Sequence, residues 1–200
     1  MSDLVLASSN PGKVTEIQRI LANSNIRVRP QSAFGVSDAI ENGLTFVENA
    51  IIKARHASHC TGLPALADDS GIEVDYLNGQ PGIYSARYAG EHASNEANNN
   101  KLLAELEGVE QSLRTARFQC LIVYLRHAAD PTPLICQGTW EGFIANAPCG
   151  KQGFGYDPLF FLPDYGCTSA ELAPALKNQI SHRALALHKL LECLGKETHA

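Results

Sequence analysis

The six cysteines of this 200-residue chain form no Cys-x-x-Cys pair and no Cys/His knuckle, which removes the usual ligand spacing of a zinc site. With no export signal, an even count does not demand disulfides, and the thiols are expected to be buried or idle. Positive charge is scarce. Sixteen Lys and Arg stand against 21 Asp and Glu, a net charge of −5, which argues against a protein that coats DNA or RNA through a basic face. A nucleotide substrate stays open, because a few well-placed cations suffice for it. Long apolar runs are missing too. The longest, Cys120 to Leu125, is far too short to span a bilayer, and Met1 to Ala7 carry an acid and only a short apolar run, unlike a signal peptide. A soluble, cytoplasmic protein with no membrane partner is expected. No Gly-x-Ser-x-Gly elbow marks a serine hydrolase, and no local signature sets a Cys beside a His for nucleophilic chemistry. Repeats, low-complexity tracts and linkers are also absent, so residues 1–200 are expected to form a single domain.

What is present suits a globular chain: 44% of residues are hydrophobic and 18% charged. Asp3 to Ala7 reads as a short buried strand. Asn10 as N-cap and Pro11 as first helical residue then open a helix carrying Val14, Ile17, Ile20 and Leu21 on one face. Ile26 to Arg29 reads as a second strand. A capping box, Thr45 to Glu48, opens a helix reaching about Cys60. Ala65–Ala67 and Ile72–Leu77 read as strands on either side of an acidic turn, Asp68-Asp69-Ser70-Gly71. Ser94 to Leu106 is a polar helix, and Arg117–Arg126 with Leu134–Ile144 form a hairpin-like pair. Ala147 to Gly166 is a loop rich in Gly, Pro and aromatics. Thr168 to Glu171 is a second capping box, and Ser181 caps a last helix that Gly195 ends. Interleaved helices and strands with an antiparallel pair give an α/β fold with a mixed sheet.

Four segments could carry chemistry. Ser8 to Lys13 joins a strand to a helix N-terminus, where unpaired N–H groups, the dipole and Lys13 suit a phosphate; an ordinary N-cap is the plainer alternative. It is not a Walker A loop. Asp68-Asp69 holds two carboxylates that repel each other, which suits either a solvated turn or an oxygen-ligand Mg²⁺ site, with Glu41 and Glu48 as further acid nearby. Gly153-Phe154-Gly155-Tyr156-Asp157-Pro158 could stack a base on its aromatics, or be a packed loop. Lys177 and Ser181-His182-Arg183 put positive charge at a helix start, against the dipole, which a ligand acceptor would explain.

Taken in order, Ser8-Ser9-Asn10-Pro11-Gly12-Lys13, Thr45 to Ala50 with Lys53-Ala54-Arg55, Ala67-Asp68-Asp69-Ser70-Gly71, Pro81 to Arg87, Phe154-Gly155-Tyr156-Asp157 and Ser181-His182-Arg183 resemble the inosine/xanthosine triphosphate pyrophosphatase family in its bacterial form, from about residue 3 to residue 194. The resemblance implies an elongated two-lobed fold around a long central mixed sheet with flanking helices, its active-site cleft between the lobes, and a homodimer. It implies a Mg²⁺-dependent hydrolase that converts ITP, dITP and XTP to the monophosphate and pyrophosphate. By position, Ser8, Ser9, Asn10, Pro11, Gly12 and Lys13 would hold the triphosphate. Asp69 would accept the proton and bind metal with Glu41, and Lys53 would assist at the catalytic centre. Ser70 would contact substrate, Phe154, Gly155, Tyr156, Asp157 and Lys177 would embrace the nucleoside, and His182 with Arg183 would read the purine. Many relatives have two adjacent acids where this chain has Ile40-Glu41, so a metal role there rests on Glu41. A pyrimidine-preferring pyrophosphatase of the Maf type and a nucleotide sensor without turnover are the alternatives; the order of motifs speaks against the first and the intact Asp69 against the second.

Overall fold

The computed structural model describes residues 3–197. Seven strands, β1 (Asp3–Leu6), β2 (Arg27–Pro30), β3 (Ala65–Val74), β4 (Thr115–Leu125), β5 (Leu134–Ile144), β6 (Phe160–Leu162) and β7 (Cys167–Thr168), lie in one sheet in the order β2-β1-β3-β4-β5-β6-β7. β1 runs parallel to both β2 and β3, whereas β6 is antiparallel to β5 and to β7. The sheet is therefore mixed. Helices α1 (Pro11–Leu21), α2 (Phe46–Thr61), α3 (Asn95–Glu105), α4 (Pro174–Ile180) and α5 (His182–Glu197) complete the α/β architecture.

The chain divides into two compact units: Met1–Asp69 with Cys120–Gly138 and Ser181–Ala200, and Ser70–Gln119 with Thr139–Ile180. In the first, β1 is apolar on both faces, as a strand covered twice must be. Leu4 and Leu6 join Ile17 and Leu21 of α1 and Ala186, Leu187 and Leu190 of α5, while Val5 and Ala7 join Ala50, Ala54 and Ala57 of α2. An all-alanine helix face lets α2 lie close on the sheet. In the second unit, Ile72, Val74, Phe118, Trp140, Ile144, Tyr156 and Phe160 share one core. The Phe118 and Phe160 ring centroids lie 4.6 Å apart and those of Trp140 and Phe160 5.3 Å apart.

Three readings of the sequence change. The Asp68-Asp69 pair is no turn: β3 runs unbroken through it, because cations described below neutralise the acids inside the strand. The loop from Ala147 contains a short strand, β6. The last helix passes Gly195 and continues to Glu197, because one glycine in a helix costs only ~1 kcal/mol relative to alanine.

Candidate active site

The phosphate-side candidates belong to the first unit. Asn10 caps α1 as expected, but its Oδ1 accepts the N–H groups of both Gly12, at 2.9 Å, and Lys13, at 3.2 Å. Pro11 has no N–H, and the Val14 N–H goes to the Asn10 carbonyl. The first turn thus spends its own donors, and the expectation that it offers unpaired N–H groups is not met. Ser9 Oγ donates to Asp38 at 2.7 Å, and Ser8 Oγ accepts the Asn10 N–H at 3.3 Å. What α1 offers is the Lys13 ammonium, which stands 2.5 Å from Asp68 Oδ1.

Asp68 and Asp69 are both buried, side by side on β3, with opposite electrostatic bias. Arg183 Nε donates to Asp68 Oδ2 at 2.9 Å and its Nη1 to Glu16 Oε2 at 2.5 Å. Burial by itself would raise the Asp68 carboxyl, but Arg183 and Lys13 overcome it and hold the group well below the ordinary carboxylate value. Among the described residues the cation paired with Asp69 is Lys53, its Nζ 2.5 Å from Oδ1. Burial therefore prevails and pushes its carboxyl up, against the pull of Lys53 and then Lys13. Lys53 also reaches Glu41 Oε2 at 3.5 Å. Burial works against the Lys53 charge, yet Asp69 and Glu41 outweigh it and hold the ammonium above its ordinary range.

A seat for a hard cation can be tested on this geometry. Among the described residues no group of three or more His, Cys, Asp or Glu is arranged to hold a metal ion. Mg²⁺ needs fewer, since it commonly takes one or two carboxylates and completes its shell with water and substrate phosphates. Glu41 and Asp69 supply that number of hard oxygen donors converging on one point, where Lys53 now lies. Lys13, Lys53 and Arg183 are paired with four carboxylates, those of Glu16, Glu41, Asp68 and Asp69. Such a centre lacks the positive charge to take a triphosphate unaided. Donor chemistry and charge balance both fit a divalent cation.

The nucleoside-side candidates belong to the second unit. Gly153 has φ +77°, and a Cβ there would lie 1.9 Å from Asp157 Oδ2, so only glycine lets the loop turn this tightly. Asp157 is buried and serves the loop itself. Its Oδ2 accepts the Phe154 N–H at 2.8 Å and Lys177 Nζ at 2.6 Å, and its Oδ1 accepts Ser169 Oγ at 2.8 Å. Tyr156 is a core residue whose hydroxyl donates to the Ser85 carbonyl at 2.8 Å. Of the two aromatics read as stacking partners, only Phe154 stays partly exposed, with Lys177 Nζ 5.5 Å from its ring centroid. Asn99 fastens the loop from α3, donating to the Gly155 carbonyl at 3.1 Å. Ser70 follows Asp69 along β3 and is half-buried.

The structure thus gathers Lys13, Glu41, Lys53, Asp69, and Arg183 through Asp68, in the first unit, and Phe154, Asp157 and Lys177 in the second. His182, beside Arg183 at the start of α5, is buried. The acceptor that the sequence implied for Arg183 lies inside the chain: it is Asp68 with Glu16. Asp68 enters the sequence reading only as one of a pair of acids, not as the partner of Lys13 and Arg183, and Glu16, Cys120, Ser169 and Asn99 escape it. Glu16 looks like any helical acid three residues after Lys13, and only the fold brings α1 against α5.

Comparison with known proteins identifies the family. The model of the Ham1 family matches residues 4–193. A Vibrio cholerae relative named dITP/XTP pyrophosphatase is 56% identical over 197 residues, covering 98% of each chain. One from Thioalkalivibrio sulfidiphilus, of the same name, is 61% identical over 191 residues, 96% of this chain and 97% of its own. A solved HAM1 protein from Coxiella burnetii superposes with a TM-score of 0.90 at 51% identity, covering 98% of this chain and all of its own. The Staphylococcus aureus Ham1 protein does so at 0.85 and 41%, covering 98% and 99%. With family match, relatives and fold in agreement over nearly its whole length, the chain belongs to the Ham1 family.

Proposed function

We propose that this protein hydrolyses the non-standard purine nucleoside triphosphates ITP, dITP and XTP to the monophosphate and pyrophosphate, clearing them from the nucleotide pool. The names of its relatives support a hydrolase of this class. The observation that carries the reading is the pair of buried acids on β3, one held ionised by Arg183 and Lys13, the other pushed toward basicity beside Lys53. Attack on an α-phosphoryl group needs a positioned, deprotonating water and neutralised phosphates. Asp69 accepts the proton of that water, and its burial, which pushes the carboxyl up in the metal-free chain, favours that role. Lys53 fixes the Asp69 carboxylate. Ser8 to Lys13 take the phosphates, chiefly through Lys13 and the Ser8 hydroxyl, since the N–H groups of Gly12 and Lys13 are already capped and Ser9 Oγ donates to Asp38. Glu41 and Asp69 hold Mg²⁺, which when bound supplies the positive charge the centre lacks for a triphosphate.

On the nucleoside side, Phe154 stacks the base, Gly155, Tyr156 and Asp157 keep the loop in shape, Lys177 approaches the base edge and Ser70 contacts the substrate. To read the purine beside His182, Arg183 turns a donor away from Glu16 or Asp68 toward the 6-keto acceptor that inosine and xanthosine carry where adenosine carries a 6-amino donor; arginine has donors only. The active species is a homodimer in the cytoplasm. Half-exposed Tyr76, Tyr84 and Tyr165 leave aromatic surface for self-association, and among the described residues no helix is long and apolar enough to cross a membrane. A panel of ITP, dITP, XTP, ATP, GTP and pyrimidine triphosphates with Mg²⁺, resolving pyrophosphate from orthophosphate, tests the activity. Pyrophosphate should appear first from the non-standard purines; orthophosphate as the primary product excludes the reading. Sedimentation at micromolar concentration should give twice the chain mass.

A further inference from the structure

Cys120 belongs to the run Cys120-Leu121-Ile122-Val123 on β4, every member of it buried, and its thiol is the one side-chain hydrogen-bond donor in that run. It is not turned to other apolar groups alone. Its Sγ stands 3.0 Å from Asp68 Oδ2, the oxygen that also accepts Arg183 Nε, while the opposite oxygen, Oδ1, holds Lys13. A buried carboxylate has several acceptor directions, and leaving one facing a hydrocarbon is costly. A further cation there would add a charge with no partner, whereas a thiol donates weakly, adds no charge and tolerates apolar neighbours. Burial first, then the Asp68 charge, raises the thiol well above its ordinary value, so it stays protonated and able to donate at neutral pH.

We infer that Cys120 is a positioning residue for the phosphate site: it fixes the rotation of the Asp68 carboxylate, which in turn aims the Lys13 ammonium. Cys120 touches no substrate and acts through Asp68. Lys13 keeps only part of its side chain in solvent, so its aim follows the Asp68 oxygen that anchors it.

The test uses the full chain with Cys120→Ala and Cys120→Val, one smaller and one larger but both without a donor, and Cys120→Ser, which keeps the donor. Each is measured for dITP turnover with Mg²⁺, for calorimetric binding of inorganic tripolyphosphate, which needs no chemistry, and for thermal melting. The Ala and Val variants should raise KM for dITP and weaken tripolyphosphate by about three- to tenfold, with kcat within about twofold of wild type, as loss of one hydrogen bond of ordinary net worth from a weak thiol donor implies. The Ser variant should restore both. A thiol that merely fills space predicts otherwise: Ala and Val would differ in melting temperature while KM stayed put, and Ser would be the worst of the three. Wild-type KM and tripolyphosphate affinity in the Ala and Val variants, or a Ser variant no better than Ala, would overturn the assignment. If Ala and Val do not fold, Ser decides it, and weakened tripolyphosphate binding there counts against Cys120. The kinetic half rests on the proposed pyrophosphatase activity. A wild-type protein that releases no pyrophosphate from dITP defeats that activity and leaves the tripolyphosphate titration to judge Cys120.

Discussion

Asp68 and Asp69 differ in nothing but their neighbours, and that is enough to give them separate work. Asp69 can act as a base only when ionised, and its folded value lies above the ordinary one. Activity should therefore fall on acidification as Asp69 takes up a proton, by about tenfold per unit. Asp68 behaves in the reverse sense. Its folded value is depressed, so its stabilising contribution is present above the unfolded value of about 3.9 and is lost only as pH falls further, through the folded value. On acidification, activity should fail while the fold persists; kcat/KM and circular dichroism followed on the same samples should show two separated transitions, and coincident ones would refute the division. Asp69→Asn should reduce kcat by at least ~10²-fold, the low end for a lost general base, with little change in melting temperature. Residual activity within a few-fold of wild type would make Asp69 a bystander. Arg183 needs a gentler substitution than alanine, because removing one member of a buried ion pair typically costs ~3–5 kcal/mol. Arg183→Lys keeps a charge for Asp68 and Glu16 but loses the planar fork. It should narrow the ITP/ATP ratio of kcat/KM by ~10-fold, and an unchanged ratio would place the reading of position 6 elsewhere.

At the level of elements, the seat of α5 is fixed by a missing side chain. β5 alternates inward and outward, and Gly138 is an inward position where a Cβ would lie 2.0 Å from the His182 carbonyl oxygen and 2.7 Å from the Ala186 nitrogen. Both obstacles are backbone, so the helix itself must move. Gly138→Ala should cost about 2 kcal/mol or more, lowering the melting temperature by roughly 4–8 °C for a chain of this size. Activity should fall with it, since Arg183 leaves Asp68 when α5 shifts; a variant that melts and turns over like wild type would show the contact to be soft. Elements with a local cause were legible in the sequence: α1 from Asn10 and Pro11, α2 from Thr45 and Glu48, whose Thr45 Oγ accepts the Glu48 N–H at 3.3 Å, and α3 from Ser94. What escaped had non-local causes. Two adjacent acids read as a turn unless Lys13, Arg183 and Lys53, 55, 115 and 16 positions away from their acids, are known to arrive. Tyr156 and Asp157 look like ligand groups until Ser85, Ser169 and Lys177 claim them. The motifs named the residues; the fold assigned their partners.

For the molecule as a whole, charge sets the terms of substrate entry. On the proposed reading, a chain of net charge −5 whose Lys13 and Lys53 are already paired offers a naked triphosphate little attraction. Chelation with excess EDTA should abolish turnover and restored Mg²⁺ should recover it fully, while the melting temperature stays unchanged, because Lys53 already bridges Asp69 and Glu41 without the ion. Turnover surviving exhaustive chelation would require another source of positive charge. The division of the chain carries a consequence for its ancestry and for protein engineers alike. The boundaries after Asp69, Gln119 and Gly138 fall within β3, β4 and β5, so neither unit is a continuous stretch of gene. Neither could be acquired or exchanged as a cassette. Chimaeras between relatives should survive when the crossover lies in a turn such as Asp130–Pro133 and fail when it lies within those three strands, so any viable exchange carries parts of both units together.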